Sequence, residues 1–164
     1  MASVGSLVSE TSYHGITNYR NNTLSITTSA MKELRTQMAF TQLRFHCRKE
    51  RTFHVTTTAD NAGEAVVKYF SGETGVLPSS CGSFQRMSDD NSHLSVTCDQ
   101  WGNDGSHYVG KWGHYQRRGE YRLTNHTAFV ANKFHWHLKS LNRLCDDTRE
   151  IPLSAGDFWK VYVR

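Results

Sequence analysis

The four cysteines of this chain and their positions restrict its fold more than any other feature. Cys47 and Cys98 occupy inward positions in segments where apolar and polar residues alternate, the period of a half-buried β-strand. Cys81 and Cys145 lie beside residues typical of turns. No C-x-x-C pair occurs, which excludes a zinc ribbon and a thioredoxin-type redox motif. The pattern predicts two disulfides in a secreted β-rich domain, with four buried free thiols in a cytosolic protein as the alternative.

Of the three pairings that four cysteines allow, Cys81 with Cys98 and Cys47 with Cys145 is favoured. The first pair closes a short loop that contains a turn sequence. The second pair joins the first core strand to the region before the last one. In the chain-entropy model each loop of this size contributes about 3–5 kcal/mol to stability.

Length and composition predict one domain with an aromatic core. A chain of 164 residues buries a sizeable core without needing disulfides as a substitute. Only 37% of the residues are hydrophobic and the mean hydropathy is −0.60. The large rings, 12% of the residues, must therefore supply much of the buried area.

The net charge of +4, with a pI near 8.9, indicates a mildly basic protein. Basic residues cluster only at 48–51 and at Arg117-Arg118, which is too little to indicate a nucleic-acid partner. We expect both clusters to lie in solvated turns, with an anionic glycan or a phosphate as the alternative contact.

The first ten residues contain no basic segment followed by an apolar stretch. No run approaches the ~18 apolar residues of a membrane span. With the predicted disulfides, this favours an extracellular or cell-surface protein whose secretion signal is not in this chain, and no membrane insertion.

Residues 1–28 are rich in Ser, Thr and Asn and carry few charges, a composition that buries little surface. We predict a flexible arm there, followed by a disulfide-containing β-rich domain over residues 29–164. Within the arm, residues 23–27 alternate and could form an edge strand.

Residues 29–40 carry the one clear helical pattern. Met31, Leu34 and Met38 fall on one face at helical spacing, and Ser29 is the expected N-cap. A helix this short is marginal alone, so its apolar stripe must pack on a sheet or on another copy of the chain.

After residue 40 the alternation typical of strands dominates, with Asp, Asn and Gly in the intervening turns. The predicted strands cover 41–48, 51–58, 64–70, 93–99, 106–112, 127–138 and 157–164. We expect the last strand to lie centrally. The pattern predicts a mainly β single domain, an antiparallel β-sandwich or jelly-roll-like fold, with one short N-terminal α-helix.

The segment from Asp99 to Tyr121 is the densest in aromatic, glycine and polar residues. Such a segment suits a sugar, because a ring stacks on its C–H face while polar groups hydrogen-bond its hydroxyls. A hairpin with packed aromatic residues is the alternative. We expect either Trp101 or the Tyr108/Trp112 face to be solvent-accessible. The predicted ligand-binding residues are Trp101, Asp104, Tyr108, Trp112, Arg117 and Arg118.

Asp89, Asp90 and Asp104 are weak candidates for a calcium site, with solvated turn carboxylates as the alternative. The spacing excludes an EF-hand loop. We expect no cofactor other than this possible calcium.

His135 and His137 lie two residues apart, a spacing that suits zinc, with His114 or His126 as a third ligand. The alternating apolar residues around them take the inner face of the predicted strand. We therefore expect both histidines to point outward, without a metal. G-x-S-x-G is absent, and no spacing favours a catalytic triad, so no catalytic residues are predicted.

These patterns favour a non-catalytic extracellular recognition module, lectin-like or adhesive, that binds a glycan or a cell-surface protein. The alternative is a structural domain that forms a homo-oligomer through the arm and the helix. A weaker alternative is a metalloenzyme built on the histidines.

Overall fold

The computed structural model describes residues 8–14, 24–102, 109–116, 119–138, 143–148 and 151–164. The described part contains nine strands and two α-helices. In chain order the elements are β1 (Val8–Glu10), β2 (Leu24–Ile26), α1 (Thr28–Met38), β3 (Leu43–Arg48), β4 (Thr52–Thr57), α2 (Asn61–Phe70), β5 (Phe84–Arg86), β6 (Ala128–Val130), β7 (Phe134–His137), β8 (Leu144–Asp147) and β9 (Phe158–Val163).

The main sheet has four antiparallel strands in the order β5-β4-β3-β9. In β3 the predicted inward residues Leu43, Phe45 and Cys47 are all buried. The alternate residues of β3, Arg44, His46 and Arg48, are at least partly exposed. The main sheet therefore has an inner and an outer face. In the described residues β9 pairs only with β3, at the sheet edge, and the expectation of a central last strand is wrong. The hairpin partner β4 occupies the other side of β3.

The second sheet is antiparallel, in the order β6-β7-β8. The single strand predicted over 127–138 is a hairpin, because the chain turns at residues 131–133, where Asn132 has a positive φ of 62°. A disulfide from Cys47 in β3 to Cys145 in β8 joins the two sheets. The other disulfide joins Cys81 to Cys98, so both observed pairs are those favoured from the sequence.

Helix α1 begins one residue earlier than predicted. Thr27, not Ser29, is the N-cap, and its hydroxyl oxygen accepts a hydrogen bond from the N–H of Ala30 at 3.2 Å. Met31 and Leu34 are buried, whereas Met38 is 58% exposed, so its predicted burial is wrong. The buried face covers only the first turns of the helix, and Met38 lies beyond it in the last turn.

Helix α2 replaces the strand predicted over 64–70, which is therefore wrong. The side chain of Asp60 accepts from the N–H of Gly63 and caps the helix. A Cβ on Gly63 would lie 1.7 Å from the carbonyl oxygen of Thr58, so only glycine allows this close approach. Gly63, Val66, Val67 and Phe70 are buried at helical spacing, the signal that the alternation argument missed.

The strand predicted over 93–99 is also wrong. The chain forms two 3₁₀ turns, Leu94–Val96 and Cys98–Gln100. The backbone N–H groups of His93 and Leu94 donate to the buried carboxylate of Asp146, at 2.9 and 2.6 Å. These N–H groups are consequently not available for strand pairing.

The core between the inner face of the main sheet, α2 and the second sheet is aromatic, as the composition predicts. The ring of Phe45 lies 5.0 Å from that of Trp112 and 5.7 Å from that of Trp136, centroid to centroid. The mainly β class with antiparallel sheets is confirmed, whereas the sandwich or jelly-roll arrangement stays a prediction.

In the arm, Leu24–Ile26 forms a strand as expected and pairs in parallel with Val8–Glu10. The division of the chain at residue 28 stays a prediction.

Candidate functional site

The two tryptophans predicted to bind a ligand belong to the core. Trp101 and Trp112 are both 0% exposed, and their rings meet edge to face at 4.8 Å. The indole N–H of Trp101 donates to the carbonyl of Leu94, and that of Trp112 donates to the hydroxyl of Ser83. Because both rings are enclosed and both N–H groups are satisfied, neither Trp101 nor Trp112 is solvent-accessible. Tyr108, the other ring of the face expected to be accessible, lies outside the described residues.

The other four predicted ligand-binding residues lie outside the described residues. They are Asp104, Tyr108, Arg117 and Arg118. Their part in a ligand surface stays a prediction.

Of the three calcium candidates the structure describes Asp89 and Asp90, and both carboxylates are already hydrogen-bonded. The Asp90 side chain is buried and accepts hydrogen bonds from the backbone N–H of His54 at 2.7 Å and from the hydroxyl of Ser95 at 2.6 Å. These bonds hold the loop after β5 against β4, which is a structural role. Asp89 is half-exposed and faces histidines, and Asp104 lies outside the described residues.

The outer face of the main sheet carries mostly polar and charged side chains. Successive residues of a strand point to opposite sides, so the inward aromatic and aliphatic residues of β3, β4 and β9 leave every second position outward. The outward residues are Arg44, His46, Arg48, Thr52, His54, Thr56, Phe158, Lys160 and Tyr162.

At the middle of this face His46 of β3 lies directly opposite His54 of β4. Their rings stack in parallel, with centroids 3.6 Å apart and planes 3° apart. Asp89 reaches both from the loop after β5, with its Oδ1 2.6 Å from Nδ1 of His54 and its Oδ2 3.6 Å from Nε2 of His46. We call these three side chains the His–Asp cluster.

The hydrogen bond between His54 and Asp89 determines which ring nitrogen of His54 carries the hydrogen. A carboxylate only accepts, so Nδ1 of His54 carries the hydrogen and donates it to Asp89. Burial raises the pKa of Asp89, but the hydrogen bond and charge of His54 lower it more, so it lies below the usual 3.8. Burial and then the neighbouring His54 lower the pKa of His46 below the usual 6.5.

The ligand atoms of the His–Asp cluster lie within 4.8 Å of one another, which would suit a transition metal ion. A metal on Nδ1 of His54 would move the proton to Nε2. That nitrogen is buried and has no hydrogen-bond partner among the described residues. An unsatisfied buried donor and an unsatisfied buried acceptor both cost about 1–3 kcal/mol, so Nε2 carries that cost in either tautomer. A metal on Nδ1 would in addition replace the 2.6 Å hydrogen bond between His54 and Asp89, which is the contact that the structure shows.

Three cations surround the His–Asp cluster on the outer face. Arg44 stacks its guanidinium carbon 4.1 Å from the ring centre of Tyr162, and Lys160 holds its ammonium 4.7 Å from the ring centre of Phe158. Arg48 lies at the end of β3 and is exposed. Arg44 and Lys160 both lower the pKa of His46, as expected where the local potential is positive.

A second group of histidines forms around β7. His126, with a positive φ of 52°, has its Nδ1 3.3 Å from Nδ1 of His135 and donates its backbone N–H to Nδ1 of His137. The ring of His114 lies 5.6 Å from that of His126. All four are half-buried, so His135 and His137 pack against another histidine instead of simply facing solvent. Among the described residues, only the His–Asp cluster brings three ligand atoms together closely enough for a metal.

Sequence reasoning missed the outer face although the alternation contained its signal. With Phe45 and Cys47 inward, His46 is outward, and with Phe53 and Val55 inward, His54 is outward too. A two-residue tip at residues 49 and 50 would place His46 opposite Phe53. The actual three-residue tip pairs it with His54.

No protein-family model, curated protein or solved structure matches this chain. Within the described part of the chain, no helix is long and apolar enough to cross a membrane. A functional hypothesis therefore rests on the site geometry alone.

Proposed function

We propose that this protein is a non-catalytic extracellular recognition module, lectin-like or adhesive, that binds a glycan on the outer face of its main sheet. Two disulfides, Cys47–Cys145 and Cys81–Cys98, support an oxidising, extracellular setting. This location differs from the one predicted from the sequence, because Trp101 and Trp112 of the Asp99–Tyr121 segment lie in the core. We place the ligand surface on the outer face instead.

The observation that carries the proposal is the composition of that face. Three neighbouring strands present rings, hydroxyls, cations and the partly exposed imidazole of His46 on one surface, and Tyr162 at its edge is 37% exposed. A sugar needs a ring for its C–H face and fixed polar groups for its hydroxyls. The strands hold these groups rigidly, which lowers the entropy cost of binding.

The described residues offer little that would support catalysis. Both disulfides are formed, so the described chain has no free thiol. The His54–Asp89 pair orients an imidazole as catalytic pairs do, but its remaining nitrogen is buried and accepts nothing from the described residues. These observations favour binding over catalysis.

The oligomer alternative loses part of its support. Met31 and Leu34, two of the three residues expected at a contact between copies, lie in the core of the chain itself. Met38 alone is exposed. Assembly through the arm stays a prediction.

A glycan array with the disulfide-intact chain tests the proposal. Tyr162→Ala should weaken binding at least about fivefold, because exposed rings at a contact commonly act as hot spots. Tyr121→Ala is the matched control, since Tyr121 is 42% exposed and lies outside the main sheet. Equal binding by wild type and Tyr162→Ala, or loss only in the control, would place the ligand elsewhere.

A further inference from the structure

Resting on the proposed function, we infer that the ligand of the outer face is a linear sulfated glycan, whose acidic groups contact Arg44, Lys160 and Arg48. The inference names the ligand class and the residues that select it. The sulfated ligand is inferred from the charges of this face and their spacing. The proposed function requires only that this face binds a glycan.

The first argument is that these three cations have no acidic partner. No described carboxylate forms an ion pair or hydrogen bond with Arg44, Arg48 or Lys160. In contrast, Arg35 pairs with Glu64 and Glu73, and Lys49 pairs with Asp147. Cations without partners gathered on one face attract an external anion.

The second argument is that no outward strand position on this face is acidic. The residues beside the three cations are threonines, histidines and aromatic residues. Asp89 is the one carboxylate that reaches the face among the described residues, and it is already hydrogen-bonded to His54. A polyanion therefore meets little repulsion along β3.

The third argument is a guanidinium held in one orientation. Nε of Arg44 is itself buried, so a ligand meets the outer part of the group. Its guanidinium is held in place by the ring of Tyr162. A planar, fixed guanidinium suits oxyanions such as sulfate, to which it donates two parallel hydrogen bonds.

The fourth argument is spacing. Arg44 and Arg48 are four residues apart on β3, which is about 13–14 Å along a strand. Lys160 is registered opposite His46, midway between them. Diagonal neighbours on adjacent strands lie about 7–8 Å apart, so the backbone of Lys160 is that close to the backbone of each arginine. The ammonium of Lys160 leans over Phe158, opposite Arg48, and the guanidinium of Arg44 leans over Tyr162. A linear polyanion along β3 can contact all three cations.

These features favour a sulfated polysaccharide over a nucleic acid. The two disulfides favour a setting outside the cell, away from the nucleic acids of the interior. The rings of Tyr162 and Phe158 lie beside the cations, where a sugar face can approach them.

The experiment measures binding of the untagged, disulfide-intact chain to immobilised heparin, hyaluronan, dextran and a DNA duplex at several salt concentrations. Heparin carries sulfates, hyaluronan only carboxylates, and dextran no charge. Each of Arg44→Gln, Arg48→Gln and Lys160→Gln should weaken heparin binding about fivefold. The triple variant should weaken it on the order of a hundredfold and reduce the salt slope by about three.

Two kinds of control separate a site from general charge. Lys68→Gln and Lys133→Gln remove cations on helix α2 and in the β6–β7 turn, and should leave heparin binding unchanged. Arg44→Lys keeps the charge but not the planar fork, and should retain more binding than Arg44→Gln. Thermal unfolding of every variant checks that the fold is intact.

Absence of heparin binding, equal losses in the two control variants, or binding to DNA as tight as to heparin would each overturn the inference. If a neutral glycan still binds and still depends on Tyr162, the proposed function survives and only the sulfated ligand is wrong. If no glycan responds to any outer-face variant, both proposals fail.

Discussion

Nζ of Lys49 lies 2.5 Å from Oδ2 of Asp147, and the two side chains are only 3% and 2% exposed. The same ammonium donates to the carbonyl oxygens of Arg143 and Ile151. Next to it, Arg51 pairs with the buried Asp146. The tip of the β3–β4 hairpin, expected to be a solvated turn, is thus anchored to β8 by buried charges.

Breaking this pair from one side should destabilise the protein strongly. Lys49→Met leaves the carboxylate of Asp147 buried without its cation, which should cost about 3–5 kcal/mol. Replacing both residues, as Lys49→Met with Asp147→Leu, should recover most of that loss because no uncompensated charge remains. Urea unfolding of the two single variants and the double variant forms the test. A double variant no more stable than Lys49→Met would contradict it.

The two disulfides should stabilise unequally. Cys47–Cys145 spans 98 positions and Cys81–Cys98 spans 17. Removing both cysteines of a pair should cost about 4–5 kcal/mol for the longer loop and about 3 kcal/mol for the shorter one. Chemical denaturation of the two double alanine variants measures the difference. Non-reducing peptide mapping of the wild type that found free thiols would remove the basis of the prediction.

Helix α1 offers a matched pair of substitutions. Leu34→Ala should cost about 2–5 kcal/mol, because it opens a cavity in the core. Met38→Ala, four residues later on the same helix, should change stability by no more than about 0.5 kcal/mol, because Met38 is exposed. If Met38→Ala instead makes the unfolding temperature depend on protein concentration, Met38 contacts another copy of the chain.

The N-cap residue of α2, Asp60, should make the stability of the protein depend on pH in the acid range. The Thr58 hydroxyl and then the Gly63 N–H donate to the carboxylate of Asp60 and lower its pKa below the usual 3.8. Its ionised form therefore stabilises the fold above about pH 4, and this contribution is lost as the pH falls through the lower folded value.

Asp60→Asn should keep the cap but lose this pH dependence, whereas Asp60→Ala should lower the unfolding temperature at neutral pH as well. Thermal unfolding of both variants from acid to neutral pH checks the two effects separately. If the unfolding temperatures of wild type and Asp60→Asn are the same at every pH, on both sides of about pH 4, the charge of the carboxylate does not affect stability.

The sequence by itself determined the features that depend on local chemistry. Alternation around Phe45 and Val55 predicted the β3–β4 hairpin and its buried side, because every second strand residue must face the core. The positions of Cys47 and Cys145 favoured the observed disulfide between the two sheets. Met31 and Leu34 predicted the buried face of α1.

Tertiary structure decided everything that depends on which groups meet across the fold. Helix α2 is different, because its Asp60 cap, the contact of Gly63 with Thr58 and the helical spacing of its buried residues are local signals that the alternation argument missed. Trp101 and Trp112 carry no local mark of burial. They are enclosed because rings from other segments pack against them, and their burial is tolerated because each indole N–H has an acceptor within the core.

Tertiary structure also decides which charged side chains are buried. Three basic residues of the main sheet and its hairpin tip cannot be told apart by local sequence. Lys49 is buried against Asp147, whereas Arg48 and Lys160 face outward without an acidic partner among the described residues. Whether a cation anchors the fold or remains available to a ligand depends on whether a carboxylate from a distant strand reaches it. That distance depends on which strands from distant parts of the chain come together, which local sequence patterns do not encode.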